Sequence, residues 1–296
     1  MTYLGPPTGG EDVGNFGDGS DGAKTYNGGG TATLSADLFA SSITVTNNTV
    51  LNPSCYRIFC SGTLTIDSGS SIAQNGSDGA NGSDGAGGAG GTGFVDAMLG
   101  ASGDGGDGGT SGAGQNANFP GSYSTEWAQG AAGGDGGDTG SPPVGGSGQD
   151  TSPTVNDPNL TAPDSLLTGQ AFSESASYEP GRIGGGGGGG GGAGNAASAG
   201  GGGGGGAGGI VMIVAKTITN NGAISANGGD GGDAYNNGAS AAGGGGGGSG
   251  GYVIVLCNSF SGNEPTATGG SGGTGVNGAS NGDAGGNGTV SKVVVS

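Results

Sequence analysis

The sequence contains no histidine, which removes the side chain that most often serves as general base or zinc ligand. Only five of its 296 residues are Lys or Arg, against 23 Asp and Glu, giving a formal net charge of −18. Nucleic-acid binding draws on Lys and Arg that displace counterions, so this composition argues against a nucleic-acid partner and against anionic membrane surfaces. No apolar run approaches the roughly 20 residues needed to span a bilayer. Residues 1–10 show no basic region followed by an apolar stretch, so no Sec-type leader is expected. An extracellular location would then require another route, such as release inside a virus particle at lysis. The three cysteines are not a disulfide framework: Cys55 and Cys60 lie near each other in sequence and Cys257 is left over. Free thiols acting as small buried residues fit them. Fragments matching G-x-G-x-x-G arise by chance at this glycine content, and no G-K-[ST] or strand–glycine–helix context accompanies them.

What the sequence has instead is glycine, 85 residues of it, against about 7% in ordinary proteins. At such a content disorder is the default unless a period is present. A period of three is present, at Gly76, Gly79, Gly82, Gly85, Gly88 and Gly91, at Gly103, Gly106, Gly109 and Gly112, at Gly134, Gly137 and Gly140, and at Gly282, Gly285 and Gly288. Three residues per turn is the repeat of the polyproline II conformation, whose N–H and C=O groups project sideways and need partners from neighbours. Glycine at every third position clears one edge, so a second helix can approach and accept those bonds. Collagen uses related logic but needs abundant proline, which these blocks lack. The expectation is a bundle of polyglycine II helices, in which residues 76–93 would extend about 55 Å at ~3.1 Å per residue.

A second element repeats between the glycine blocks. Residues 58–66 followed by 71–79 reappear as 210–218 followed by 223–231, with Thr65 aligned on Thr217, Ile66 on Ile218, Ile72 on Ile224 and Asn75 on Asn227. A looser copy begins at Tyr252, an earlier half-copy covers 43–50, and a closing strand is expected over 289–295. Each copy reads as two short, alternating, β-branched strands around a turn. The expected fold is all-β plus polyglycine II: short stacked β-rungs, solenoid- or β-helix-like, with glycine-rich excursions and essentially no α-helix. The expected organisation is an N-terminal attachment segment (1–30), first β-rungs (31–75), a long glycine-rich excursion (76–209) with irregular tip loops at 94–99, 115–129 and 141–183, and further rungs with short excursions (210–296).

Binding residues usually sit on loops carried by an ordered scaffold. The tip loops hold Phe119, Tyr123, Trp127, Phe172 and Tyr178, aromatic residues suited to carbohydrate or protein surfaces; the same side chains can also cap the bundle end. Two Gly-Gly-Asp doublets, at Asp135 and Asp138 and at Asp230 and Asp233, match the start of a calcium-binding nonapeptide pattern. That pattern works in tandem arrays, which are absent, and a solvated acidic edge is the competing reading, so no cofactor beyond Ca²⁺ is suggested. Asp104 and Asp107 would share an edge in the same way. Asp96, Glu126 and Glu179 are among the tip carboxylates, and nothing positions them for glycoside hydrolysis. The chain is not expected to be an enzyme.

Phe16-Gly17-Asp18-Gly19-Ser20-Asp21-Gly22, residues 31–39, Ile43-Thr44-Val45 and residues 56–66 resemble the opening of glycine-rich bacteriophage structural proteins, and 213–218 with 224–229 look like the same group. The glycine blocks are similar to those of T-even-type tail-fibre adhesins, whose tips are polyglycine II bundles with distal receptor-binding loops. The resemblance implies a virion surface protein, a tail-fibre or tip adhesin, bound to other virion proteins through its N-terminal segment and to a host surface glycan or protein through its tip. It inserts in no membrane on this reading. A homotrimer is usual for fibres, while a single-chain glycine bundle can be monomeric. The alternatives are a capsid or tail decoration protein that binds no receptor, and a bacterial surface or matrix protein.

Overall fold

A computed structural model describes residues 16–54, 56–94, 99, 102–117, 144–148, 199–238 and 240–295. Among these the protein is all-β, without a helix. The strands are β1 (Ala23–Tyr26), β2 (Thr31–Thr33), β3 (Leu38–Ala40), β4 (Ser42–Val45), β5 (Val50–Asn52), β6 (Arg57–Ile66), β7 (Ser71–Ala73), β8 (Ala199–Gly200), β9 (Ile210–Asn220), β10 (Ala223–Ser225), β11 (Tyr235–Asn236), β12 (Tyr252–Gly262) and β13 (Thr289–Val294).

Two parallel sheets face each other. One runs β1-β4-β6-β9-β12-β13, with β3 also on β6; the other runs β10-β7-β5-β2. A short turn carries the chain from the first sheet to the second within each copy, so β4 leads to β5, β6 to β7 and β9 to β10. Between the sheets lie Ile43, Val45, Leu51, Ile58, Leu64, Ile66, Ile72, Val211, Ile213, Ile218, Ile224, Val253 and Val255, all fully buried. Strands alternate their side chains between faces, so Ile210, Met212 and Val214 of β9 point away from that core. They join Ile254, Leu256, Phe16, Phe59 and Leu99 in a second cluster on the outer face. Each large side chain buried in this way contributes about 1.5–3 kcal/mol.

The pairing corrects the gapless alignment in one respect. β6 and β9 pair Thr63 with Thr217 and Ile66 with Asn220, whereas β7 and β10 pair Ile72 with Ile224 as aligned. The sequence offset is therefore 154 at the end of the first strand and 152 in the second. The turn after β6 (67–70) is two residues longer than the one after β9 (221–222) and absorbs the difference. β6 also carries one extra residue between Cys60 and Thr63. This bulge contains Gly62, where a side chain would collide with the carbonyl of Ser41. Strand pairing begins at Ala23, which bonds in register with β4, so the stretch 1–30 is not wholly outside the sheets.

Glycine stretches run out of the second sheet after β7 and β10 and back into the first sheet before β9, β12 and β13, as extended segments bonded side by side. Segment 201–209 is the middle one. Nine consecutive amides donate in a three-residue rotation: 201, 204 and 207 to the carbonyls of 109, 106 and 103; 202, 205 and 208 to those of 243, 246 and 249; 203, 206 and 209 to those of 80, 77 and 74. All nine residues are buried. Every backbone donor in this buried stretch is satisfied by another segment, as burial of main-chain amides demands.

Candidate functional site

The glycine segments form an array with two distinct ends. At the strand end, the Gly209 amide bonds Gln74, that of Gly251 bonds Ala226, and that of Gly288 bonds Ala267. The far end holds the bridges Thr110–Gly200, Ser83–Ala86 and Ala242–Val276, together with the β8–β11 pair. Ala199 and Ala242 plug it, with Ala234 and Val276 against them. Tyr235, in β11, is 39% exposed there, and Val144 is 58% exposed. The chain leaves the described array after residues 117 and 148 and rejoins it at 144 and 199, and Ala199 is a far-end residue. Sequence reasoning passed over Tyr235, whose signal is its position where a three-residue glycine run stops.

One expected tip loop lies elsewhere. In 94–99 the described residues Phe94 and Leu99 pack on the outer face of the first sheet, with Ile210 and Met212. The Ser102 hydroxyl bonds the carbonyl of Ala207 at 3.0 Å. This reversal sits at the strand end because its two apolar side chains complete the cluster there. Of the loop 115–129, residues 115–117 are themselves an array segment: the Gln115 amide donates to Asp107 and that of Ala117 to Ser147.

The acidic rows have a definite geometry. Oδ1 of Asn75, Asp78 and Asn81 accepts from the amides of Asn227, Asp230 and Asp233, each at 2.8 Å. Oδ1 of Asn227, Asp230 and Asp233 accepts in turn from Thr268, Ser271 and Thr274, at 2.9, 2.7 and 2.7 Å. Antiparallel neighbours use the same device. Asp104, Asp107 and Thr110 accept from Gly93, Gly90 and Gly87, while Asn287 and Asn281 accept from Gly269 and Gly275. Asp230 and Asp233 are thus bonded to the backbone of the next segment. Asp135 and Asp138 lie outside the described residues. Among the described residues no group of three or more His, Cys, Asp or Glu could hold a metal ion.

Phe119, Tyr123, Trp127, Phe172 and Tyr178 also lie outside the described residues, as do Asp96, Glu126, Glu179 and Cys55. Cys60 and Cys257 are free and buried, both opposite Ala215 of β9. Burial pushes both thiols above their ordinary pKa, opposed at Cys60 by backbone hydrogen bonding to Gly62 and Ile43 and at Cys257 by the charge of Lys292. An open cavity of about 290 Å³ at the β1–β2 edge is lined by Tyr26, Asn27, Thr31 and Thr49 among others. The Tyr26 hydroxyl is raised by burial first and by the charge of Asp21 second. No helix is long and apolar enough to cross a membrane among the described residues. No protein-family model, no curated protein and no solved structure matches this chain.

Proposed function

We propose that this chain is a virion surface protein, a phage tail-fibre or tip adhesin, in which a polyglycine II array on a β-solenoid base carries receptor-binding segments. The observation that supports this reading is the run of nine satisfied amides from Gly201 to Gly209. An array held by main-chain bonds needs little apolar core and leaves its ends free to carry variable sequence. The three-residue rotation of donors is the symmetry expected of polyglycine II, since that helix turns once per three residues. Parallel strands stacked copy on copy are the signature of a solenoid.

On this reading the aromatic residues Phe119, Tyr123, Trp127, Phe172 and Tyr178 contact a host glycan or protein, and Tyr235 and Val144 at the far end of the array border that contact. The N-terminal segment joins the protein to other virion components. The test has two parts. Immunogold labelling with an antibody against residues 149–181 should decorate the ends of virion tails or fibres. Purified protein should block particle adsorption to host cells, and a variant with the five aromatic residues changed to Ala should not. Gold confined to cell walls overturns the virion assignment. Gold spread over capsid shells, with no block of adsorption, leaves the decoration role in place of the adhesin.

A further inference from the structure

Asparagine followed by glycine is the pair most prone to deamidation, because glycine offers no side chain to hinder its own amide nitrogen. That nitrogen, once deprotonated, attacks the asparagine Cγ. A new C–N bond closes a five-membered succinimide and the side-chain nitrogen leaves as ammonia. Water then opens the ring at either carbonyl, giving aspartate or isoaspartate. The sequence holds nine such pairs, beginning at Asn27, Asn75, Asn81, Asn221, Asn227, Asn237, Asn277, Asn281 and Asn287. All nine lie among the described residues.

The structure divides them cleanly. In five pairs both reacting groups are engaged. The amides of Gly76, Gly82, Gly228, Gly282 and Gly288 donate to the carbonyls of Asn227, Asp233, Thr268, Gly273 and Ala267, at 2.9, 2.8, 2.8, 2.9 and 2.7 Å. The side chains of the same five asparagines accept backbone amides through Oδ1. The nucleophile is therefore held protonated and the electrophile is held in place, both by bonds to the same neighbouring segment. In the remaining four pairs, the amides of Gly28, Gly222, Gly238 and Gly278 have no partner among the described residues. These four sit in the turns between strands or at the far end of the array. Of them only Asn277 has its side chain held, by Nδ2 bonds to the carbonyls of Gly238 and Ser240. Asn27, Asn221 and Asn237 are exposed.

We infer that Asn27, Asn221 and Asn237 are the deamidation sites of the folded protein, and that the array protects Asn75, Asn81, Asn227, Asn281 and Asn287 through the same bonds that hold it together. Conversion in the array requires local opening, so its rate falls by the opening equilibrium. The consequence differs by place. Aspartate serves as well as asparagine in the rows, as Asp78, Asp230 and Asp233 demonstrate. Isoaspartate lengthens the backbone by one methylene and would break the three-residue register, whereas a turn accommodates it. Damage is thereby steered to positions where it does least harm.

The experiment ages the full-length protein in mildly alkaline buffer and maps deamidation by peptide mass spectrometry in ¹⁸O-water, beside a sample aged in denaturant. The folded protein should convert Asn27, Asn221 and Asn237 at least about tenfold faster than the five array residues, the factor expected when one hydrogen bond must open. The unfolded chain should convert all nine at similar rates. Two variants move the pair within one chain. Asp84→Asn places it in the turn where Gly85 has φ +70° and should convert. Asp230→Asn places it in a row and should stay intact. Equal rates for turn and array residues in the folded protein, or the same rate ranking in denaturant, overturn the inference.

Discussion

Alanine at Gly205 puts the main-chain array to a direct test. A Cβ there would overlap the carbonyl of Gly229 and lie 2.8 Å from the Gly248 nitrogen. Those two atoms bond each other at 2.9 Å, so the methyl group would be driven into a hydrogen bond between two neighbouring segments. The Gly205 amide itself bonds Gly246 at 2.8 Å, and Gly229 bonds Gly206 at 2.9 Å. Separating the segments loosens these three bonds, at about 1 kcal/mol each, and overpacking adds about 1–3 kcal/mol. Replacing glycine recovers about 0.4–1 kcal/mol from the unfolded chain. The net loss is about 3–5 kcal/mol, a large share of a typical stability of about 5–15 kcal/mol. Calorimetry should record a melting temperature lower by roughly 6–20 °C, at about 2–4 °C per kcal/mol. Gly30 provides the control, because nothing lies within 4 Å of a Cβ there and its backbone is not left-handed. Gly30→Ala should therefore gain about 0.4–1 kcal/mol. A Gly205→Ala protein that melts with the wild type, or a Gly30→Ala protein that falls as far, refutes the reasoning.

Asp233→Ala removes the acceptor for the Thr274 amide and should cost about 1 kcal/mol in urea unfolding, whereas Asp233→Asn keeps the acceptor and should stay near the wild type. Ala284 lies opposite the Gly272 amide, between the two positions where Asn281 and Asn287 accept. Ala284→Asn should supply the missing acceptor and raise the melting temperature, in keeping with a gain of about 0.5–1 kcal/mol. Burial raises Cys60 and Cys257 from an ordinary 9.0 and Tyr26 and Tyr252 from an ordinary 10.0. Each group is neutral when protonated, so above its unfolded value the folded state binds more protons and stability falls as pH rises. Melting temperature should thus hold from neutrality to about pH 9 and decline beyond it; a steady rise through that window would contradict the burial of these groups.

The strand copies and the glycine period were legible because each prints its own repeat in the sequence, two for strands and three for glycine segments. Their register was less so. Thr65 and Ile66 match Thr217 and Ile218 in type and alternation, and a slip of two residues leaves every side chain on its own face. Only the turn lengths, 67–70 against 221–222, separate the two alignments. β1 escaped notice because Ala23–Tyr26 has no buried side chain to give it an apolar stripe. The Gly-Gly-Asp doublets suggest calcium when read alone. The neighbours of Asp230 and Asp233 are 152 residues earlier and 41 later, where Asn75, Asp78 and Asn81 on one side and Thr268, Ser271 and Thr274 on the other occupy the same rows. That third row carries hydroxyls in place of carboxylates and amides, and its backbone N–H groups donate to Oδ1 of the second row, which is the signal that points to backbone acceptors. The tip aromatics have no such cue, because an irregular loop carries no period.

The two systems share one register, and the turns make that sharing workable. β6 and β9 pair at an offset of 155 before the bulge and 154 after it, yet after the turn β7 and β10 pair at 152, and Asn75 with Asn227, Asp78 with Asp230 and Asn81 with Asp233 keep 152 without interruption. The next layer repeats the behaviour: Asn220 pairs Gly262 at an offset of 42, then Ser225 bridges Thr266 at 41, and the rows continue at 41 as far as Thr274. A strand tolerates a bulge, because a period of two recovers after one extra residue at the cost of a local bend. A glycine segment surrounded by neighbours does not, since a single extra residue rotates every later amide toward the wrong segment. Insertions are accordingly found in β6 and in the turns, upstream of the array. The second sheet therefore sets the phase of the glycine segments that leave β7 and β10 before they begin, and the Asp and Asn rows hold that phase along the array's exposed side.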